Sequence, residues 1–86
     1  MARYYFHLHN GFDALLDPDG AEMPINDAVA RALVECRALI AHEALEGRID
    51  LRQRIDVEDE TGSVLHSISF QEAVQIVSQG EERAVH

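Results

Sequence analysis

"DAVARALVECRALIAHEALEG", residues 27–47, decides the fold. Val29, Ala32, Leu33, Cys36, Ile40 and Ala44 recur at i, i+3, i+4, i+7, the spacing that gathers side chains on one face of an α-helix. Arg31, Glu35, His42 and Glu46 line the opposite side, and Arg31 with Glu35 forms an i, i+4 pair. Asn26 or Asp27 is expected to cap the start, with Pro24 just outside and Gly47 ending the segment. About 20 residues make a rod roughly 30 Å long. A second line, Val34, Ala38, Ala41 and Leu45, widens the apolar surface beyond one stripe. These four residues are the candidate interaction surface, either against a sheet edge or against a second copy of the chain.

Upstream, residues 2–9 read as a strand rich in aromatics. Alternation puts Tyr4, Phe6 and Leu8 on one face and Arg3, Tyr5, His7 and His9 on the other. Asn10-Gly11 predicts a type I′ hairpin turn, which needs φ > 0 at both residues. A return strand from Phe12 to Leu16 is expected, then a tight turn at Asp17-Pro18-Asp19-Gly20. Downstream of the helix, residues 49–70 read as a second hairpin closed by Glu60-Thr61-Gly62-Ser63. That closure pairs Val57 with His66, Ile55 with Ile68 and Gln53 with Phe70. The opposite face carries Arg54, Asp56, Glu58, Leu65, Ser67 and Ser69 and is expected to be mostly solvated. Ser69-x-x-Glu72 resembles a capping box, and a short helix over 70–79 follows from it, with Val74 and Val77 above Phe70 and Gly80 as the stop; "AVQIV" as a strand is the alternative. Residues 81–86 are expected to form a flexible tail.

The order strand–strand–helix–strand–strand argues for an α+β domain over residues 1–80. Its antiparallel sheet of three to four strands carries the long helix on one face, with a short C-terminal helix added. The length of 86 residues has room for one domain. A chain this size buries roughly 60–65% of its surface, enough for one core but not for a core plus a deep cleft.

Sixteen acids face seven arginines and no lysine, for a net charge of −9. Phosphate backbones are bound by clustered cations, so no nucleic-acid partner is expected. The same charge argues against anionic membranes and suits a basic protein partner. No run approaches the ~20 apolar residues of a membrane span, and the N-terminus lacks the apolar core of a signal peptide. With Cys36 as the single cysteine, the expected compartment is a reducing cytoplasm.

His7 and His9 project to the same side of their strand, about 6.6 Å apart along it. Two imidazoles at that spacing can share a metal, which needs three or four ligands in all. A third ligand is what the sequence does not supply: His66 faces the apolar side of its hairpin, His42 the outer helix face, and His86 lies in the tail. His7 and His9 therefore stand as bare metal candidates, and His7 is expected to serve as a structural histidine bonded to Tyr5 or the 17–22 segment. Asp17 and Asp19 occupy the first and third places of a calcium loop, but the sixth is Glu22 and the twelfth Ala28, so a plain turn is expected. Cys36 sits on the core stripe, and Ser63, Ser67, Ser69 and Ser78 lack a nucleophile elbow. No catalytic residue and no cofactor are assigned, and the chain is expected not to be an enzyme.

With these residues in view, the chain resembles a family of short uncharacterised bacterial proteins, a domain of unknown function. The resemblance rests on Arg3-Tyr4-Tyr5-Phe6-His7 followed by Gly11, and on Asp17-x-x-Gly20-x-Glu22-x-Pro24 before an Ala-rich helix. It continues in the Ile55, Val57, Asp59, Gly62, Val64, Leu65 hairpin and reaches about Val74. The resemblance implies a one-domain cytoplasmic protein and carries over no activity. The leading expectation is a non-enzymatic interaction or structural module acting as a homodimer. Its rivals are an acidic, antitoxin-like regulator of a basic protein and a metal-binding protein using His7 and His9.

Overall fold

The aromatic run at the start of the chain becomes the middle of the sheet. The computed structural model describes residues 1–78. Strand β1 spans Ala2–His9, β2 Ala14–Leu15, β3 Ala21–Met23, β4 Arg54–Glu58 and β5 Val64–Ser69; helix α1 spans Ile25–Leu45 and α2 Phe70–Ala73. All pairings are antiparallel, in the order β2-β1-β4-β5, with β3 also paired to β1. The architecture is the expected α+β one, with five strands instead of three or four. The missed strand, β3, is three residues long and pairs Ala2 with Met23 and Tyr4 with Ala21. Too short to show alternation, it exists because β1 offers an unpaired edge beside it.

One sheet face is apolar and α1 lies on it. Tyr4 and Phe6 from β1, Ile55 and Val57 from β4, and Phe70 and Ala73 from α2 meet Ala28, Ala32, Cys36 and Ile40 of α1. Val57 and Phe70 are fully buried, each contributing about 1.5–3 kcal/mol relative to exposure. The small Ala28, Ala32 and Cys36 let the helix sit close to the large rings below. Val29 and Leu33 flank this stripe half-buried, whereas Ala44 is exposed, because the helix outruns the sheet beneath its last turn.

Several local expectations are corrected. Neither Asn26 nor Asp27 caps α1: Pro24 holds the cap position, its carbonyl accepting from the amides of Asp27 and Ala28, and no side chain caps it. The turn after β1 is not a two-residue type I′ turn. Gly11 alone has positive φ, and Asn10 instead accepts the amides of Phe12 and Asp13 on its Oδ1. Leu8 therefore faces Leu15 and His9 faces Ala14, a shift of two residues from the tight turn that keeps every side chain on its expected face. The 12–16 return strand shrinks to Ala14–Leu15.

The second hairpin has the predicted register, Val57 with His66 and Ile55 with Ile68, up to a bulge at Val57/Glu58 that places Val64 opposite Glu58. Its start is tied to α1 through Glu43, whose carboxylate accepts from the Asp50 amide and the Gln53 side chain. The capping box is present, Ser69 Oγ accepting the Glu72 amide while Glu72 accepts from the Ser69 amide. Yet α2 stops at Ala73 and Val74 is extended, so the 70–79 helix is cut short. Arg37 Nε donates to the Ala73 carbonyl at 2.8 Å, satisfying an end that the next turn would otherwise cover. Val74 packs half-buried against the core and Val77 is exposed. Gly80, the 81–86 tail and His86 lie outside the described residues.

Candidate polar site on the open sheet face

The sheet face away from α1 carries the side chains that alternation assigned to solvent: Tyr5, His7 and His9 from β1, Arg54, Asp56 and Glu58 from β4, and Ser67 from β5. Because β1 and β4 are the central pair, these residues stand side by side, with Tyr5 opposite Glu58, His7 opposite Asp56 and His9 opposite Arg54. The side chains reach along the diagonals. His7 Nε2 lies 3.6 Å from Glu58 Oε1, and His9 Nε2 lies 3.3 Å from Asp56 Oδ2.

Asp56 is not solvated, as its place on the polar face suggested, but 4% exposed. Its position in the middle of the sheet explains this, with His9, Arg54 and Ser67 closing over it. Ser67 Oγ donates to Asp56 Oδ1, and Arg54 Nε donates to the same oxygen at 3.1 Å. Burial pushes the Asp56 carboxyl up, but Ser67, the Arg54 guanidinium and His9 together outweigh it and hold the group below its ordinary value. Oδ2 is left to His9.

His7 takes the structural role expected of it. Its Nδ1 accepts the Asp17 amide at 3.0 Å, and its ring stacks on Tyr5 with centroids 6.2 Å apart. A ring nitrogen that accepts carries no proton, so the neutral ring holds its proton on Nε2, toward Glu58. With one nitrogen accepting and the other protonated, His7 has no lone pair free for a metal. Asp17 in turn accepts the Phe6 amide on Oδ2 and the Asp19 and Gly20 amides on Oδ1. Burial raises the Asp17 carboxyl, and the three amides outweigh that and lower it overall. The 17–20 turn is thereby a clasp that fixes His7.

His9 differs. Its Nε2 is shut off from solvent and has no hydrogen-bond partner among the described residues, although Asp56 Oδ2 lies 3.3 Å away. His9, Asp56 and Glu58 each offer one ligand atom, and these atoms lie within 4.8 Å of one another. The structure thus separates the two candidate histidines and brings Asp56 and Glu58 to His9. Alternation in "RIDVE" already placed both acids on one face; that β4 neighbours β1 was the missing piece. His66 and His42 stay apart from this cluster, on the other face of the hairpin and on the exposed side of α1.

The other candidate surface is also open. Val34 is 64% and Leu45 88% exposed, and Ala38 and Ala41 between them are exposed. None of the four packs on a sheet edge.

The profile of a domain of unknown function (DUF6894) matches residues 3–71, most of the chain. The chain belongs to the DUF6894 family. The matched span of this DUF6894 protein runs from Arg3 in β1 to Gln71 in α2, and so includes every residue of the polar cluster. No curated protein and no solved structure matches it. No helix among the described residues of this DUF6894 chain is long and apolar enough to cross a membrane.

Proposed function

We propose that this DUF6894 protein is a non-catalytic interaction module that pairs with a second copy of itself through α1. The observation that carries the reading is the exposed line Val34, Ala38, Ala41 and Leu45 on a helix whose opposite side is already buried. Its steps of four, three and four residues read the same in both directions. An antiparallel partner helix centred between Leu39 and Ile40 sets Val34 on the partner's Leu45 and Ala38 on the partner's Ala41. Large residues then meet at the ends, and alanines in the middle allow close approach. This is the seam of a coiled-coil pair and the self-complementary patch that two-fold symmetry requires. The seam is only about 17 Å long, well short of a standard stable interface, so a weak, concentration-dependent dimer is expected.

Sedimentation equilibrium from low to high micromolar protein tests this. The mass should move from one chain toward two, more readily in salt, which screens the charge of −9 on each copy. Val34→Glu should hold the protein monomeric with its melting temperature unchanged. A wild-type chain that stays monomeric at high micromolar concentration in salt overturns the reading. The net charge favours a second reading, an acidic module that neutralises a basic protein. Salt separates the two, since it weakens that complex and strengthens self-pairing.

A further inference from the structure

We propose that His9, Asp56 and Glu58 bind one divalent transition-metal ion of the zinc class, on a face of the protein separate from the α1 seam. His9 Nε2 is enclosed, lacks a hydrogen-bond partner, and lies 3.3 Å from Asp56 Oδ2. Two donor atoms on a tetrahedral ion at about 2.1 Å each stand about 3.4 Å apart. The spacing therefore suits a cation bridging them as well as it suits a proton. Glu58 supplies the third atom, all three within 4.8 Å, and its flexible stem can bring the carboxylate the remaining distance. His9 Nε2 itself is shut off from solvent, so an ion would enter past the outer edges of His9 and Glu58, whose side chains are 24% and 21% exposed, with a water on the Glu58 side as fourth ligand.

The surroundings match those that orient metal ligands elsewhere. Ser67 and Arg54 hold Asp56 by Oδ1 and leave Oδ2 facing His9. His7, fixed by the Asp17 amide, directs its Nε2 toward Glu58. Two carboxylates beside one arginine leave the cluster with net negative charge. An imidazole nitrogen with two carboxylates favours zinc-class ions over magnesium and calcium, which take oxygen ligands. Binding uses the His9 Nε2 lone pair.

The test is calorimetric titration of the chelator-stripped, tag-free full chain with zinc chloride and, separately, magnesium chloride near neutral pH. One zinc per chain and no magnesium are expected. His9→Gln and Glu58→Gln should each weaken zinc binding by at least the roughly 10–100-fold that losing an outer-shell partner costs, while His42→Gln on the exposed side of α1 changes nothing. Glu58 is partly exposed, so Glu58→Gln keeps the fold and decides the matter if His9→Gln does not. The His9 ring nitrogen resonance followed by NMR should move on zinc addition. Absence of saturable zinc binding, or wild-type affinity in both His9→Gln and Glu58→Gln, overturns the proposal.

Discussion

Asp17→Ala is the substitution whose cost follows most directly from the structure. The wild-type carboxylate accepts the amides of Phe6, Asp19 and Gly20 at 3.2–3.3 Å. Hydrogen bonds to a charged group contribute about 1.5–3 kcal/mol each when short and buried. These are long and partly solvated, so about 1 kcal/mol each is the appropriate scale, and they share one acceptor and do not add fully. The expected loss is therefore about 2–3 kcal/mol, or about 10–20 °C in melting temperature for a domain this small. Asp17→Asn keeps one acceptor oxygen but turns an amino group toward a backbone donor, so it should fall between wild type and alanine. The pH dependence has a definite sign. The folded-state value of Asp17 lies below its ordinary 3.8, so its contribution is fully present above 3.8 and is lost as pH falls through the folded value. Urea unfolding at neutral and acidic pH measures both effects. Wild type should lose more stability on acidification than Asp17→Asn, which has no charge to titrate there. Asp56, Asp59 and Glu72 are also lowered and titrate in both proteins, so the difference between the two curves is the quantity to read. An Asp17→Ala protein within about 0.5 kcal/mol of wild type, or parallel acid limbs, refutes the clasp.

Gly20→Ala should be costly and Gly11→Ala mild. A Cβ on Gly20 at φ +67° meets the Tyr4 carbonyl at 2.7 Å and the Tyr5 ring at 2.9 Å, whereas one on Gly11 meets nothing within 4 Å. Left-handed backbone costs both about 1–2 kcal/mol, and crowding adds about 1–3 kcal/mol at Gly20 alone, a gap that chemical denaturation resolves. Ser69→Ala removes the capping box of α2 and should lower stability by about 1 kcal/mol, seen as earlier hydrogen exchange at the Glu72 amide. Cys36, fully buried with its thiol pushed up to about 11 mainly by burial, should resist a disulfide reagent at neutral pH and react at the rate of unfolding; rapid labelling of the folded protein contradicts this placement.

What was legible in the sequence was whatever local period or local turn chemistry encodes. The faces of β1 followed from alternation, the core stripe of α1 from its 3.6 period, and the β4–β5 register from Thr61-Gly62 and the apolar pairs. Features that depend on an element's neighbours were not legible. β3 is a strand because β1 has room on its edge, and residues 74–78 are not helical although Ser69 and Glu72 start a helix correctly. Asp56 shows the limit most clearly. Alternation places it on the polar face, but only the adjacency of β1 and β4 turns that position into a buried one, with His9 on one oxygen and Arg54 and Ser67 on the other. His7 and His9 look equivalent at i, i+2, and the backbone amide of Asp17 separates them.

The exposed seam of α1 points away from the sheet, and the polar cluster lies on the sheet face that α1 does not cover, so the packed core stands between them. Neither group of side chains touches the other, and effects of substitutions without shared partners usually add. Val34→Glu should therefore leave zinc affinity intact, and His9→Gln should leave the dimer constant intact. If one substitution removed both properties, the cause would lie in the core they share, through loss of the fold and not through either surface. Measuring both properties on both variants thus distinguishes a damaged protein from a disabled site, which neither measurement does alone.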